Sequence, residues 1–525
     1  MCLCVISYFM IWGNKLLGQE TQKLERTLLV NLSLHSSNPS FLKVITDSVI
    51  GHFSLDYNIA KGDFVNYYSP DFYNKYTIKT ESYNRLSDRI VVFGMASYFC
   101  KNGKNSGYTS FLDPYKIPFD FIEKDITTKG DSKIEECHLV GAISYQLSNK
   151  LNIGLRADYR TSSFVKLKDM RNINDILDLF LDIGLTYNIN NDCLGISYTY
   201  NRYIENITSK DYSNLGNDYY ALIDRGSFMG KFTLYGTNGI LKTKDKRPWV
   251  DISNQISLQY MKCFNGNNFF MEIAYNRSKG YYGNDNDYSV VYMRHSRKNY
   301  VFDMQLSLKN RNLTQIISFK GNYMTLINKE QLYNTSVTSG GMMSVTNYYG
   351  DAETFTKKQS KYDVNYDIFW GDEYLKAPWH LNVSYSYNDL YRRSIYYPYF
   401  REQNFYTNNI NLGVGRNFNK NKIDVSLRLN LRCIIGHGGD PKDGLYVSST
   451  GIQTTPDYFD ELLYKEKEYL TSTRLNPSFS LLVARNYKRN LQVYAKVLTS
   501  FTKPINLKYL RGDFFSFNMS LGINF

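Results

Sequence analysis

The feature that most constrains this chain is a two-residue alternation of apolar and polar side chains that recurs along its length. In residues 422–435, Ile423, Val425, Leu427, Leu429 and Leu431 alternate with Lys422, Asp424, Ser426, Arg428, Asn430 and Arg432. Residues 150–160 set Leu151, Ile153, Leu155 and Tyr159 against Lys150, Asn152, Arg156, Asp158 and Arg160, and residues 176–189 and 380–388 repeat the pattern. Side chains two apart share one face of a strand, so each segment is extended, with a greasy face and a charged face. Faces that differ this strongly meet different solvents. No run of about 18 apolar residues follows the N-terminus, which excludes a membrane-spanning helix. A transmembrane barrel escapes that test, because its strands need only every second side chain to be apolar. The mean hydropathy of −0.42 fits such averaging. So do 48 Tyr and 31 Phe against 11 Pro, an excess of strand-favouring aromatics.

The connections sort by length. Short polar turns fall at 147–151, 188–193, 264–269, 309–312, 418–422 and 487–490, and longer segments rich in Gly, Asn, Asp, Ser and Tyr lie between them, at 100–137, 203–226, 323–361 and 436–473. Short turns at one rim and long loops at the other predict an all-β, antiparallel transmembrane barrel of about 20 strands, within a range of roughly 16 to 22. The count includes an out-and-back excursion over 226–252 and one overlong strand over 288–309. The expected organisation is a signal peptide at 1–18, a periplasmic arm or small hatch at 19–47, and the barrel at 48–525. The N-terminal stretch MCLCVISYFMIW carries that signal reading, although no basic residue precedes it and Leu16 stands where a small residue would suit cleavage after Gly18.

The chain ends FFSFNMSLGINF, with Phe515, Phe517, Met519, Leu521, Ile523 and Phe525 on one face. This strand resembles the C-terminal assembly signal of Gram-negative outer-membrane barrels, with Phe525 as the terminal aromatic and Ile523 and Leu521 as the outward residues before it. The segment SSNPSFL (residues 36–42) is similar to the Asn-Pro-Ala segment that opens several Bacteroidota barrels and the fatty-acid-transporter group, with Ser40 where Ala is usual. Asn-Pro is also an ordinary turn initiator. From Asn38 to Phe525 the chain resembles poorly characterised Bacteroidota outer-membrane barrels. The resemblance implies an outer-membrane location, contact with membrane lipids and lipopolysaccharide, and insertion by the barrel-assembly machinery. It implies no substrate. Because alternation begins by residues 48–60, there is no room for the plug of about 130 residues that the TonB-dependent receptor family carries.

Charges on the presumed inner face are the candidate lumen lining: Lys150, Arg156, Asp158, Arg160, Lys422, Asp424, Arg428, Arg432 and Lys496. A basic surplus there would concentrate anionic solutes, whereas mixed charges would form a salt-bridged wall. Tyr187, Tyr200, Tyr387 and Tyr487 are placed in an aromatic girdle. The net charge of +13 falls to +12 without residues 1–18, which carry only Lys15, and no nucleic-acid module accompanies it. Of seven cysteines none forms CxxC, so zinc ribbons and thioredoxin-type redox motifs are unsupported. Cys100 and Cys137 flank one long loop on consecutive strands and are the candidate disulfide. The segment GHGGDPKDG (436–444) offers His437 with Asp440 and Asp443 as a base with a carboxylate or a metal site, and reads better as loop turns. No catalytic residue, cofactor or metal is expected. The expected function is a barrel that passes or binds a solute without a chemical step. The alternative is a closed interaction barrel that presents its loops to a partner receptor or surface polysaccharide.

Overall fold

The computed structural model describes residues 23–46, 48–168, 171–210, 219–235, 247–285, 290–337, 344–371, 377–420, 422–448, 454–488 and 491–525. The expected signal at 1–18 lies outside the described residues. The strands, in chain order, are β1 (Val49–Gly62), β2 (Phe72–Ser87), β3 (Ile90–Ser106), β4 (Asp120–Glu123), β5 (Gly130–Gln146), β6 (Leu151–Lys166), β7 (Arg171–Ile189) and β8 (Asp192–Lys210). There follow β9 (Tyr219–Asp224), β10 (Met229–Tyr235), β11 (Arg247–Phe264), β12 (Asn267–Gly283), β13 (Val291–Asn310), β14 (Leu313–Val337), β15 (Ser344–Trp370) and β16 (Trp379–Tyr396). The last are β17 (Tyr399–Lys420), β18 (Ile423–Gly438), β19 (Lys442–Leu445), β20 (Asp457–Tyr458), β21 (Arg474–Lys488), β22 (Leu491–Pro504) and β23 (Phe514–Asn524).

Eighteen of them form a closed antiparallel barrel, each pairing with its neighbours and β23 returning to β1. One short extra strand, β19, adds to β17. The expected count of about 20 is corrected, and the reason is the excursion over 226–252, of whose described residues β10 leaves the wall and 247–252 begin β11. β10 pairs with β9 and β20, and β9 with β4, in a separate four-stranded sheet. Alternation records two unlike surroundings, and an aromatic interior serves as well as lipid. The expected long loop at 323–361 is corrected too. β14 and β15 run through most of it as a paired hairpin, because its polar, Tyr- and Thr-rich sequence keeps strand propensity where both faces are wet.

The outward side chains form the apolar belt of the outer-membrane barrel class: Leu55, Leu181, Leu258 and Leu429 are between 45% and 61% exposed. Towards the long loops the belt is bordered by tyrosines on adjacent strands, with Tyr57 against Tyr76 at 5.0 Å and Tyr275 against Tyr300 at 5.1 Å. Towards the short turns it ends in exposed Tyr145, Tyr187, Tyr487 and the cross-strand pair Trp370 and Trp379. Two such levels of amphipathic rings are the arrangement that suits an apolar belt between acyl chains and headgroups.

Candidate functional site

At the short-turn end, the segment that precedes β1 crosses the lumen. Leu28 and Leu34 pack with Ile50, Tyr83 and Val91 of the first three strands, Phe41 with Phe270 of β12, and Leu29 and Val30 with Ile316 and Phe369 of β14 and β15. Gln305 of β13 fixes the crossing, since its amide donates to the Leu29 carbonyl at 2.7 Å and accepts from the Leu32 N–H at 2.9 Å. Asn38, only 2% exposed, anchors the next turn. Its Nδ2 donates to the carbonyls of Leu185 and Ile196 and to Gln259 Oε1, and its Oδ1 accepts from the N–H and hydroxyl of Ser40. The wall makes room for it with three inward glycines. A Cβ on Gly184 would lie 2.0 Å from Asn38 Oδ1, one on Gly154 2.2 Å from the Ser40 nitrogen, and one on Gly195 3.0 Å from Asn38 Nδ2. Asn-Pro here both initiates the helical turn Pro39–Val44 and ties it to the wall.

At the long-loop end, a cap fills the mouth. It is built from the loop between β3 and β5, the β9–β10 hairpin, β20 and the helix Asp460–Thr471. Phe111, Phe119, Phe121 and Ala221 pack against Trp249, Tyr203, Tyr282 and Met293, which the wall turns inward. Phe228 and Ile122 close on Leu462 and Leu463 of the helix. Buried charges fasten cap to wall. Lys166 Nζ donates to Glu123 Oε1 at 2.6 Å, with both side chains at most 3% exposed. Arg392 binds Glu466 through two hydrogen bonds, and Glu205 accepts from the Leu112 N–H at 2.8 Å. Within the cap, Asp120 and Asp224 are cross-strand partners on β4 and β9 and line an internal cavity of about 40 Å³ together with Tyr115, Lys357, Arg392 and Glu466. Burial pushes the carboxyl of Asp120 up to about 7 and that of Asp224 up to about 8, the latter raised further by Asp120 itself. Loss of hydration is the main cause at both groups, because burial disfavours the charged carboxylate.

Between these two layers the wall is lined by amides, hydroxyls and ion pairs. Arg156 bonds Asp182 at 2.7 Å, Asp158 bonds His138 at 2.7 Å, and Arg160 reaches Glu136 at 3.7 Å, so these three candidate lining residues sit in a paired section of wall. Asp424 accepts from Gln492 at 2.8 Å and Asn486 at 3.2 Å. Arg428, Arg432 and Lys496 face inward on β18 and β22, with Arg432 exposed. Lys150 and Lys422 are corrected: both lie in short turns at the rim, exposed, because the alternation continues past the last ladder position. Lys320 and Lys361 also point inward, beside Asp303 at 3.4 Å and Asp363 at 3.2 Å, yet their side chains are 57% and 52% exposed. A lysine that faces the interior and is more than half exposed is wetted, so this arc of the lumen holds water.

The candidate disulfide is corrected. Cys100 pairs with Glu135 and Cys137 with Tyr98, which leaves the thiols diagonal on adjacent strands, and no disulfide joins them. Diagonal positions are about 7–8 Å apart, beyond disulfide reach. His437 lies tilted against the Tyr406 ring, Asp440 bonds Lys467 and Asp443 pairs with Arg401, so the three do not converge, and the segment 442–445 is strand β19. Asp120, Glu123, Lys166, Asp224, Arg392 and Glu466 escaped the sequence reading. Their only local signal is acidic residues embedded in aromatic loop sequence such as FDFIEK, where solvated loops rarely carry three large apolar side chains.

A family model described as a family of unknown function, DUF6850, matches residues 39–525. The chain belongs to this family. The matched span begins at Pro39, inside the glycine seat, and covers the whole barrel of this DUF6850 member. No curated protein matches it. Among solved structures it is similar to the ferric preacinetobactin receptor BauA of Acinetobacter baumannii, at 8% identity and a TM-score of 0.41 over 91% of this chain and 80% of that one. The siderophore receptor PirA of Acinetobacter baumannii gives 7% identity and 0.39 over 91% and 81%, and the outer membrane transporter YddB of Escherichia coli 8% and 0.38 over 90% and 81%. Similarity at this level has no bearing on what the family member binds.

Proposed function

We propose that this protein is an outer-membrane barrel of a Gram-negative bacterium that binds and passes a small hydrophilic solute, preferentially an anionic one, with no chemical step. The observation that carries the reading is the wetting of Lys320 and Lys361 inside the wall, since a filled barrel would bury them. Arg428, Arg432 and Lys496 extend the same arc with positive charge, which raises the local concentration of anions. The belt and its two aromatic borders support residence in the outer membrane. The N-terminal segment and the cap act as two constrictions in series. Conductance of the purified protein in planar bilayers under a potassium chloride gradient tests the reading. The expected result is discrete steps with an anion-selective reversal potential, and no conductance together with no solute flux in liposome swelling would sink it.

A second reading is favoured by the buried pairs Lys166–Glu123 and Arg392–Glu466, which hold the cap rigidly. A fixed cap suits a closed barrel that offers its loops to a partner receptor or a surface polysaccharide. Absence of flux combined with capture of such a partner would favour it.

A further inference from the structure

The outward face of β12 to β15 carries a second charged feature, outside the lumen. Tyr198, Tyr275, Tyr300 and Tyr323 are exposed outward residues bordering the lipid belt. Two residues further along the strands, towards the long loops, stand Arg277 on β12 and Lys298 on β13, with Lys358 on β15 two residues before Ser360, the partner of Tyr323. Lys279 on β12 and Arg202 on β8 lie one step further out. All five are exposed. The register makes Arg277 and Lys298 direct cross-strand partners, and Lys298 reaches Lys358 through the single intervening Thr325. Like charges directly opposite one another destabilise a sheet unless something negative lies over them. Among the described residues no ion pair or cation–π contact involves any of the five, even though Asp389 lies diagonally from Lys358. Several other outward charges at the long-loop end are paired: Lys133 with Glu135 at 2.9 Å, Arg294 with Asp285 at 3.1 Å and Lys329 with Asp351 at 3.0 Å. Arg277, Lys298 and Lys358 stand together on one side and at one level, just beyond the tyrosines, and Lys61 and Lys503 stand apart from them on β1 and β22.

We infer that this patch is a binding site for the phosphates of a multiply phosphorylated outer-leaflet lipid of the lipid A type. The inference rests on the membrane reading proposed above. Tyrosine hydroxyls mark the headgroup level, so phosphates attached to acyl chains packed on the belt arrive where Arg277, Lys298 and Lys358 stand. A bisphosphorylated headgroup spans adjacent cations, and charge-assisted hydrogen bonds to arginine and lysine relieve the repulsion that the register imposes. A soluble phosphate would gain the same charge contacts but none from the belt.

The test is native mass spectrometry of the detergent-purified barrel titrated with lipid A. Retention of the unboiled electrophoretic shift is checked first, so that failure of the membrane reading is seen separately. The intact protein should retain lipid A and release its dephosphorylated form. Each cation is worth roughly fivefold in affinity, so Arg277→Gln, Lys298→Gln and Lys358→Gln together should weaken binding about a hundredfold. The charge-preserving set Arg277→Lys, Lys298→Arg and Lys358→Arg should keep most of it, and Lys61→Gln with Lys503→Gln, on β1 and β22, should change nothing. Equal retention by the three-glutamine variant, or equal retention of dephosphorylated lipid, would overturn the assignment. So would displacement of lipid A by millimolar inorganic phosphate, which would make the patch a site for soluble anions.

Discussion

The backbone of Phe525 hydrogen-bonds that of Gly51 in both directions, the Gly51 N–H to the Phe525 carbonyl at 2.8 Å and the Phe525 N–H to the Gly51 carbonyl at 3.0 Å. The ring of Phe525 lies over Gly51, where a Cβ would come within 2.7 Å of its Cε2 and of the Glu81 carbonyl oxygen. The last residue therefore completes the ladder that closes the barrel. Deleting Phe525, changing it to Asp, or changing Gly51 to Val should each lower the fraction of protein that migrates as a closed barrel without boiling, with Gly51→Val the most severe. Wild-type migration of all three would show that closure does not depend on this pair.

The glycine seat gives a second expectation. Gly184→Val drives a side chain into Asn38, and Asn38→Ala removes its five hydrogen bonds, leaving buried carbonyls unsatisfied at about 1–3 kcal/mol each. Both substitutions should raise single-channel conductance by loosening the segment that crosses the lumen. Unchanged conductance with a normal closed-barrel shift would mean that the segment is not a constriction.

Asp120 and Asp224 make the cap sensitive to pH, and the sign is fixed by the direction of their shifts. Their folded values, about 7 and about 8, stand above the ordinary aspartate range, so the native cap holds protons that an opened cap releases. Stability of the closed cap is full below about pH 4 and falls as pH rises towards 8, by at most about 1.4 kcal/mol per group per pH unit. Limited proteolysis of residues 107–129 should be faster at pH 9 than at pH 6, and Asp120→Asn should flatten the difference. A pH-independent rate in the parent protein would contradict the buried pair.

Lys166→Met strands the Glu123 carboxylate in the cap, which costs about 3–5 kcal/mol for a broken buried pair. Cap opening, followed by hydrogen exchange over 107–129, should accelerate strongly. Adding Glu123→Met should restore most of the protection, because two packed apolar side chains replace the pair. Failure of the second change to rescue would place the effect elsewhere than in this ion pair.

Leu429 faces outward at 61% exposure, between Val414 and Phe479, and its neighbour Asn430 faces the lumen. Leu429→Arg should cost about 2–4 kcal/mol of barrel stability, while Asn430→Arg should cost little. Urea titration of the refolded protein in micelles measures both. Equal losses would contradict the assignment of the two faces.

Much of the wall was legible because its outer and inner faces have unlike surroundings, which impose period two along a strand, as in Ile423 to Leu431. The same rule put an out-and-back pair over 226–252 that the wall does not contain, since Met229–Tyr235 pairs with β9 inside the cap. Arg156 and Arg432 share one signature in sequence, yet one is paired with Asp182 and the other is exposed, because pairing depends on the register between strands and not on any one strand. The buried partners of the cap were invisible for a related reason. Lys166 and Glu123 are 43 residues apart, and nothing local announces that a loop turns inward.

The way the cap is assembled sets an order of events. The Phe232 N–H bonds Asp457 across 225 residues of chain, and the Ser394 hydroxyl bonds the Gly226 carbonyl across 168. Contacts of such separation form only after the intervening strands have brought their ends together, since the entropy of closing those loops is otherwise uncompensated. The N-terminal crossing obeys the same rule, since Leu29 and Gln305 lie 276 residues apart. Both the cap and the crossing therefore depend on a wall that is already assembled, and neither is a unit that could form from its own stretch of chain.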